Sequence, residues 1–303
     1  MMKRWIFLTC VMIAAFGMVA SAAAAPYMPP LGPLYIKFDN REQLSATNSI
    51  VSPSGANEGN WGVFIVSTIA AGNITGDPFN FDPISPPLWT DQTTDGGQIT
   101  GIFGGLTVTD PGPPFNSSGG ELWIYWDEPG LVGGGTMVDL ATDAFPVNRT
   151  GDFAFTGFTD GILLAKIEFV PGAIVADPTV TVTGTVTPTT TSFTGLANSY
   201  GNVADVNGDG IIDSNDGAWA TLLNGDYFDT LLGPNTADLK FRNIYEGPLA
   251  SWNGPAGTDI IGAGSSDPAR AYAVPEPASM MLLGSGLAGL AGLARSRRRE
   301  KKM

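Results

Sequence analysis

The chain has 303 residues, with 15 basic and 29 acidic side chains, 40 glycines, 23 prolines, one cysteine and no histidine. The one thiol, Cys10, lies in a hydrophobic leader, so an exported form has no disulfide framework, thiolate zinc site, cysteine nucleophile or histidine-based triad. The excess of negative charge repels nucleic acid and attracts cations, with calcium the natural partner of oxygen ligands.

At the start, Lys3 and Arg4 precede an apolar stretch over 5–19, and Ala20-Ser21-Ala22 opens a cluster of small residues. Residues 1–25 read as a signal peptide removed between Ala22 and Ala25. Residues 26–33 follow as a short, proline-rich extended arm. From there to residue 273, abundant Gly, Pro, Thr, Val and Phe favour strands joined by turns. Strands are expected over 34–38, 62–68, 98–108, 121–126, 161–170 and 179–187. Turn signals such as Asp95-Gly96-Gly97, Asp110-Pro111-Gly112 and Gly133-Gly134-Gly135 separate several of them. The expected fold is mainly β, an antiparallel β-sandwich ectodomain over 26–273.

In the fourth of these strands, alternation puts Leu122, Ile124 and Trp126 on one face and Trp123 with Tyr125 on the other. An exposed Trp123 and Tyr125 pair is a possible glycan platform; a strand buried on both faces is the plainer expectation. Asp127 and Glu128 are adjacent on a strand and point apart, so they do not flank a single glycosidic bond. A carboxylate-dependent glycoside hydrolase would need a more distant pair, and no spacing nominates one. The chain is expected to be non-enzymatic.

The sharpest internal motif is Asp205-Val206-Asn207-Gly208-Asp209-Gly210-Ile211-Ile212-Asp213-Ser214-Asn215-Asp216. Oxygen ligands at its positions 1, 3 and 5 (Asp205, Asn207, Asp209) can converge on one calcium ion, and Gly210 allows the sharp turn at position 6. Ile211 offers its carbonyl, Asp213 acts through a water and Asp216 closes the loop. The alternative is an Asx-rich turn that satisfies itself. The phrase resembles the calcium loop of type I dockerin repeats, which implies Asp205, Asn207, Asp209, Ile211 and Asp216 as ligands and an exit helix over 218–223. Dockerins pair two such loops to bind cohesins. Only one is found here, which speaks against cohesin as a partner.

The chain closes with Pro275-Glu276-Pro277, an apolar run over 280–294, and a basic stop of Arg295, Arg297, Arg298, Arg299, Lys301 and Lys302. Fifteen helical residues reach roughly 22 Å, short of the ~30 Å hydrocarbon core, which suits a transient membrane signal better than a permanent anchor. The basic stop holds the end in the cytoplasm, leaving everything before it outside. This order resembles the PEP-CTERM sorting tail of exported bacterial proteins, also catalogued as an ice-binding protein C-terminal segment. That resemblance implies a sorting tail over 274–303 with a hydrophobic helix at 278–294, recognised at Pro275-Glu276-Pro277 and cut by an exosortase. It also implies a place at the cell surface or in an exopolysaccharide matrix. Removing Lys3, Arg4, the six tail bases and Glu300 leaves 7 basic and 28 acidic residues, a net of −21. The alternatives to a surface or matrix component are a glycan-binding or dockerin-like adhesion module and the hydrolase above.

Overall fold

The computed structural model describes residues 25–72, 83–91, 96–111, 115–130, 132–172, 179–185 and 193–273. The expected signal peptide, apart from Ala25, and the expected sorting tail with its helix at 278–294 lie outside these. Among the described residues no helix is long and apolar enough to cross a membrane.

The fold is mainly β and antiparallel, as composition predicts. Among the described residues, ten strands of the main sheet form a closed ring: β1 Gly32–Leu44, β2 Asn60–Ala71, β3 Gln98–Asp110, β4 Phe115–Ser118, β5 Glu121–Asp127, β6 Ile162–Val170, β7 Val180–Thr185, β8 Phe193–Val203, β9 Leu239–Gly247 and β10 Ile261–Ala273. β4 and β5 lie end to end along β3, broken by Gly119-Gly120, whose φ values of 70° and 91° suit glycine. β6 and β7 lie end to end along β8 in the same way. Counting each pair as one stave, eight staves pair in chain order, and β10 pairs back onto β1. The ladders that a sandwich would leave open at its edges therefore meet, and the two halves enclose one core. Among the described residues, closure leaves no long edge strand unpaired, and eight staves enclose a space that side chains fill or one small ligand occupies.

Alternation along the strands decides what faces inward. Leu34, Ile36 and Phe38 of β1, Phe64 and Val66 of β2, and Leu122, Ile124 and Trp126 of β5 all join the interior cluster. The sequence reading stopped β1 at Phe38 and did not anticipate β4 or β8. Nor do β9 and β10 fall within any of the expected strands. β10 reads Ile-Gly-Ala-Gly-Ser-Ser-Asp-Pro-Ala-Arg-Ala-Tyr-Ala, poor in β-branched residues. Its inward alanines fit because the opposing side chains are large; Ala269 lies directly across from Phe241. The β9–β10 ladder is interrupted between Ser265 and Ala269, around Pro268, which has no amide to donate.

A second apolar cluster sits outside the ring. Trp61, Val63 and Ile102 point outward from β2 and β3 and are covered by Val138, Phe155 and Phe158 from the long β5–β6 connection. That cover is pinned by an ion pair with both side chains almost wholly buried, Arg149 to Glu58, with the guanidinium 4.3 Å from the Trp61 ring centroid. β2 and the first half of β3 are consequently buried on both faces, which explains their largely apolar sequence.

The two ends of the ring differ. At the β6 start, Trp89, Trp126 and Trp219 fill the interior, and Trp219 Nε1 donates to the Tyr27 carbonyl at 2.7 Å. Toward the β1–β2 turn the interior is left partly empty.

Candidate functional site

The 205–216 loop leaves β8 and runs into a single helical turn, α1, at Ala220–Leu223. Its attachment to the barrel is made by backbone: Ala218 N donates to the Leu163 carbonyl at 3.0 Å and Trp219 N to that of Leu164 at 2.7 Å. The loop thus belongs to the connection between two barrel strands, at the tryptophan-filled end.

Within the loop each acidic side chain organises backbone. Asp205 accepts from Gly208 N at 2.7 Å and Gly210 N at 2.6 Å. Asn207 Oδ1 accepts from Asp209 N at 2.9 Å, and Asp209 Oδ1 from Ile211 N at the same distance. Asp213 turns instead to the amide of Asn215 at 2.7 Å. Gly208 and Gly210 have φ of 75° and 84°, a left-handed geometry that bends the chain around the Asp205 carboxylate. Asp216 is buried at the base and accepts from Val206 N at 2.7 Å, Asn207 N at 3.2 Å and Asp213 N at 2.8 Å. Burial works against its charge, but these amides outweigh it and hold the carboxyl below its usual range. Ile211 is exposed, while Ile212 packs against the core.

The donor atoms offered here are all oxygens, the set a hard divalent cation takes. Each carboxylate oxygen that accepts one amide retains a further lone pair, so the chemistry of the set fits calcium. Among the described residues, no three acidic side chains stand together as a ready-made metal cluster.

Trp123 and Tyr125 share the outer face of β5 and are half-buried, so the strand is neither an open platform nor sealed on that side. Trp123 Nε1 donates to Glu121 at 2.9 Å, its ring lies 6.1 Å from Phe153, and Lys166 Nζ stands 5.4 Å from its centroid. Burial, with Asp127 adding to it, pushes the Tyr125 phenol up to about 12. Asp127 and Glu128 go separate ways: Asp127 is sealed against the Thr100 hydroxyl, whereas Glu128 accepts from Trp126 Nε1 at 3.1 Å.

Buried carboxyls outside the predicted sites include Glu42 and Asp127. Glu42 is wholly buried and pushed up to about 7 by burial, against donation from Asn60 Nδ2 at 2.9 Å and Asn243 Nδ2 at 3.4 Å. Asp127 is likewise raised to about 7 by burial. The Thr100 hydroxyl also lies 2.9 Å from the Phe158 carbonyl, so a neutral Asp127 can donate to Thr100 while Thr100 donates onward. A signal for Glu42 was present: it continues the inward period of Leu34, Ile36 and Phe38, where a solvated glutamate has no place.

Pro275, Glu276, Pro277 and the arginines at 295, 297, 298 and 299 fall outside the described residues, and comparison with known proteins speaks to them. Residues 273–299 match the PEP-CTERM protein-sorting motif. The match covers the tail alone. It marks an exported protein sorted to the cell envelope or surface, with exosortase as the processing partner. No curated protein and no solved structure matches the chain.

Proposed function

We propose that the protein is a non-enzymatic component of the cell surface or exopolysaccharide matrix, delivered by its tail and stiffened by one calcium ion in the 205–216 loop. The tail match over 273–299 carries the delivery. Asp205, Asn207, Asp209, Asp216 and the Ile211 carbonyl would hold the ion, with Asp213 reaching it through a water. Bound there, calcium supplies positive charge that ties five loop residues together in a chain without disulfides. Support for the calcium reading comes from the ligand spacing, the two left-handed glycines and the all-oxygen donor set. The absence of catalysis is supported by the separate engagements of Asp127 and Glu128.

The test of delivery is intact mass of the exported product. Cleavage near Pro275-Glu276-Pro277 predicts a form lacking the apolar run and the arginine stop. An exported product that still ends at Met303 would overturn the processing.

A second reading, a glycan-binding adhesion module, is favoured by one observation: the half-exposed Trp123 ring with Lys166 above it. It predicts that Trp123→Ala weakens retention on the host's exopolysaccharide, and unchanged retention would dismiss it.

A further inference from the structure

We propose that the barrel is a binding protein for an uncharged, mostly apolar small molecule that carries one hydroxyl or amide group. The site is the unfilled half of the interior, which neither the tail nor the calcium loop explains.

The cavity here holds about 140 Å³ and opens to solvent at its mouth. An apolar cavity of roughly 150 Å³ takes a benzene-sized ligand, and the open mouth leaves room for a longer chain. A belt of rings forms the floor: Phe38 and Phe64 meet edge to face with centroids 5.0 Å apart, and Phe241 lies 6.2 Å from Phe38 and 5.8 Å from Phe169. Below that belt the core is closed by Ile36, Ile124 and Trp126, each at most 1% exposed.

The walls are unlike each other. Leu106, Val108, Phe115, Leu122, Val180 and Ala197 make the side contributed by β3, β4, β5, β7 and β8 almost wholly apolar. The facing side, from β1, β2 and β9, carries Asn40, Asn60, Arg242 and Asn243. Asn60 and Asn243 each give their amide nitrogen to Glu42. Their Oδ1 atoms are buried and have no hydrogen-bond partner. Two unpaired amide oxygens in one cavity wall are costly in an empty protein and are what a ligand donor would satisfy. The assignment of amide oxygen and nitrogen follows the hydrogen-bond network. If Glu42 is neutral and donates to one asparagine, that amide turns its NH2 to the cavity. The wall then offers a donor beside an acceptor, and a hydroxyl or carboxamide pairs with both.

Charge selects further. The two oxygens of Glu42 are occupied by the asparagine amides, which stand between it and the cavity, so an ammonium group finds no bare carboxylate. Arg242 and Asp259 bring one charge of each sign to the lining. Asp259 itself is committed to the rim: it accepts from the hydroxyls of Ser45, Thr47 and Ser49, fixing the β1–β2 turn against the segment before β10. With Glu42 masked by the amides, these two opposite charges leave a neutral head as the best match.

Isothermal titration of the full-length protein at about pH 6, where decanoate is mostly ionised, compares 1-decanol, decanoate and decylamine as probes. 1-Decanol is expected to bind, with decanoate and decylamine at least about tenfold weaker. Val108→Trp, which fills the mouth, should weaken 1-decanol at least about tenfold. Asn60→Ala combined with Asn243→Ala should remove the preference for the alcohol over decane while leaving decane binding in place. Should Val108→Trp lose its β circular dichroism, Ser117→Phe serves instead, with the same expectation. Absence of binding by all three probes to a folded protein would overturn the proposal. So would decanoate or decylamine binding as tightly as the alcohol, or alcohol binding undiminished by the folded mouth-filling variant.

Discussion

At one end of the barrel three tryptophans fill the interior and the 205–216 loop is fastened across the start of β6; at the other, the same strands enclose a cavity with two unpaired amide oxygens and a buried glutamate. Both ends are made by alternation along common strands. What differs is the size of the inward residue at each step. Trp126 and Trp89, with ring centroids 6.3 Å apart, close the first end, while Asn40 and Gly62 stand along β1 and β2 toward the second. A closed ladder thus fixes the backbone, and side-chain volume alone decides whether a length of barrel is core or container.

The largest expected break in this contrast is truncation. Trp219→Ala should cost about 3 to 5 kcal/mol in urea unfolding, as loss of a wholly buried aromatic does. Phe115→Ala, on the wall of the existing cavity, should cost about 1 kcal/mol. Equal costs would mean that the two ends are packed alike.

Next comes pH. Glu42 and Asp127, both raised to about 7 from ordinary values of 4.5 and 3.8, stay protonated in the folded chain where the unfolded chain has released the proton. The stability they contribute is therefore full below about pH 4 and is lost as pH rises to about 7, on the order of 3 kcal/mol for each group. The lowered carboxyls of Asp216 and Asp259 act in the opposite sense, at pH values below that window. Glu42→Gln and Asp127→Asn should each flatten part of the decline in denaturation midpoint between pH 5 and pH 8. A pH-independent midpoint in the parent chain would contradict the assignment.

A smaller effect separates the ends by overpacking. A Cβ on Gly97 would lie 2.1 Å from the Trp126 ring, so Gly97→Ala should cost about 1 to 3 kcal/mol. Val108→Ile adds the same single carbon at the cavity mouth and should stay within about 1 kcal/mol of the parent in the same urea titration.

Legibility in the sequence followed the same division. The apolar runs of β2, β3, β5 and β6 could be read because period-two alternation and β-branched residues coincide there. β8 and β10 could not, since Gly, Ala, Ser and Asn are chosen for room inside a closed ring and their own propensity opposes the strand. The 205–216 loop stood out because all its chemistry is local, within twelve residues. The cavity wall did not, because Glu42, Asn60 and Asn243 are brought together only by ladder register across more than 200 positions, a contact that spacing in the chain does not carry. Trp123 and Tyr125 fall between: alternation placed them on one face, but their half-burial depends on the covering segment from β5 to β6.

Calcium is proposed for the filled end and a small ligand for the other, and a melting curve of the full-length protein with and without calcium tests the first proposal most directly. At a hundredfold excess over the dissociation constant, binding to the folded state alone adds about 2.7 kcal/mol, or roughly 5 to 10 °C in Tm for a domain of this size. The parent chain should show that rise, and a chain carrying Asp205→Ala and Asp209→Ala should not. The same shift in both chains, or none in the parent, would contradict it.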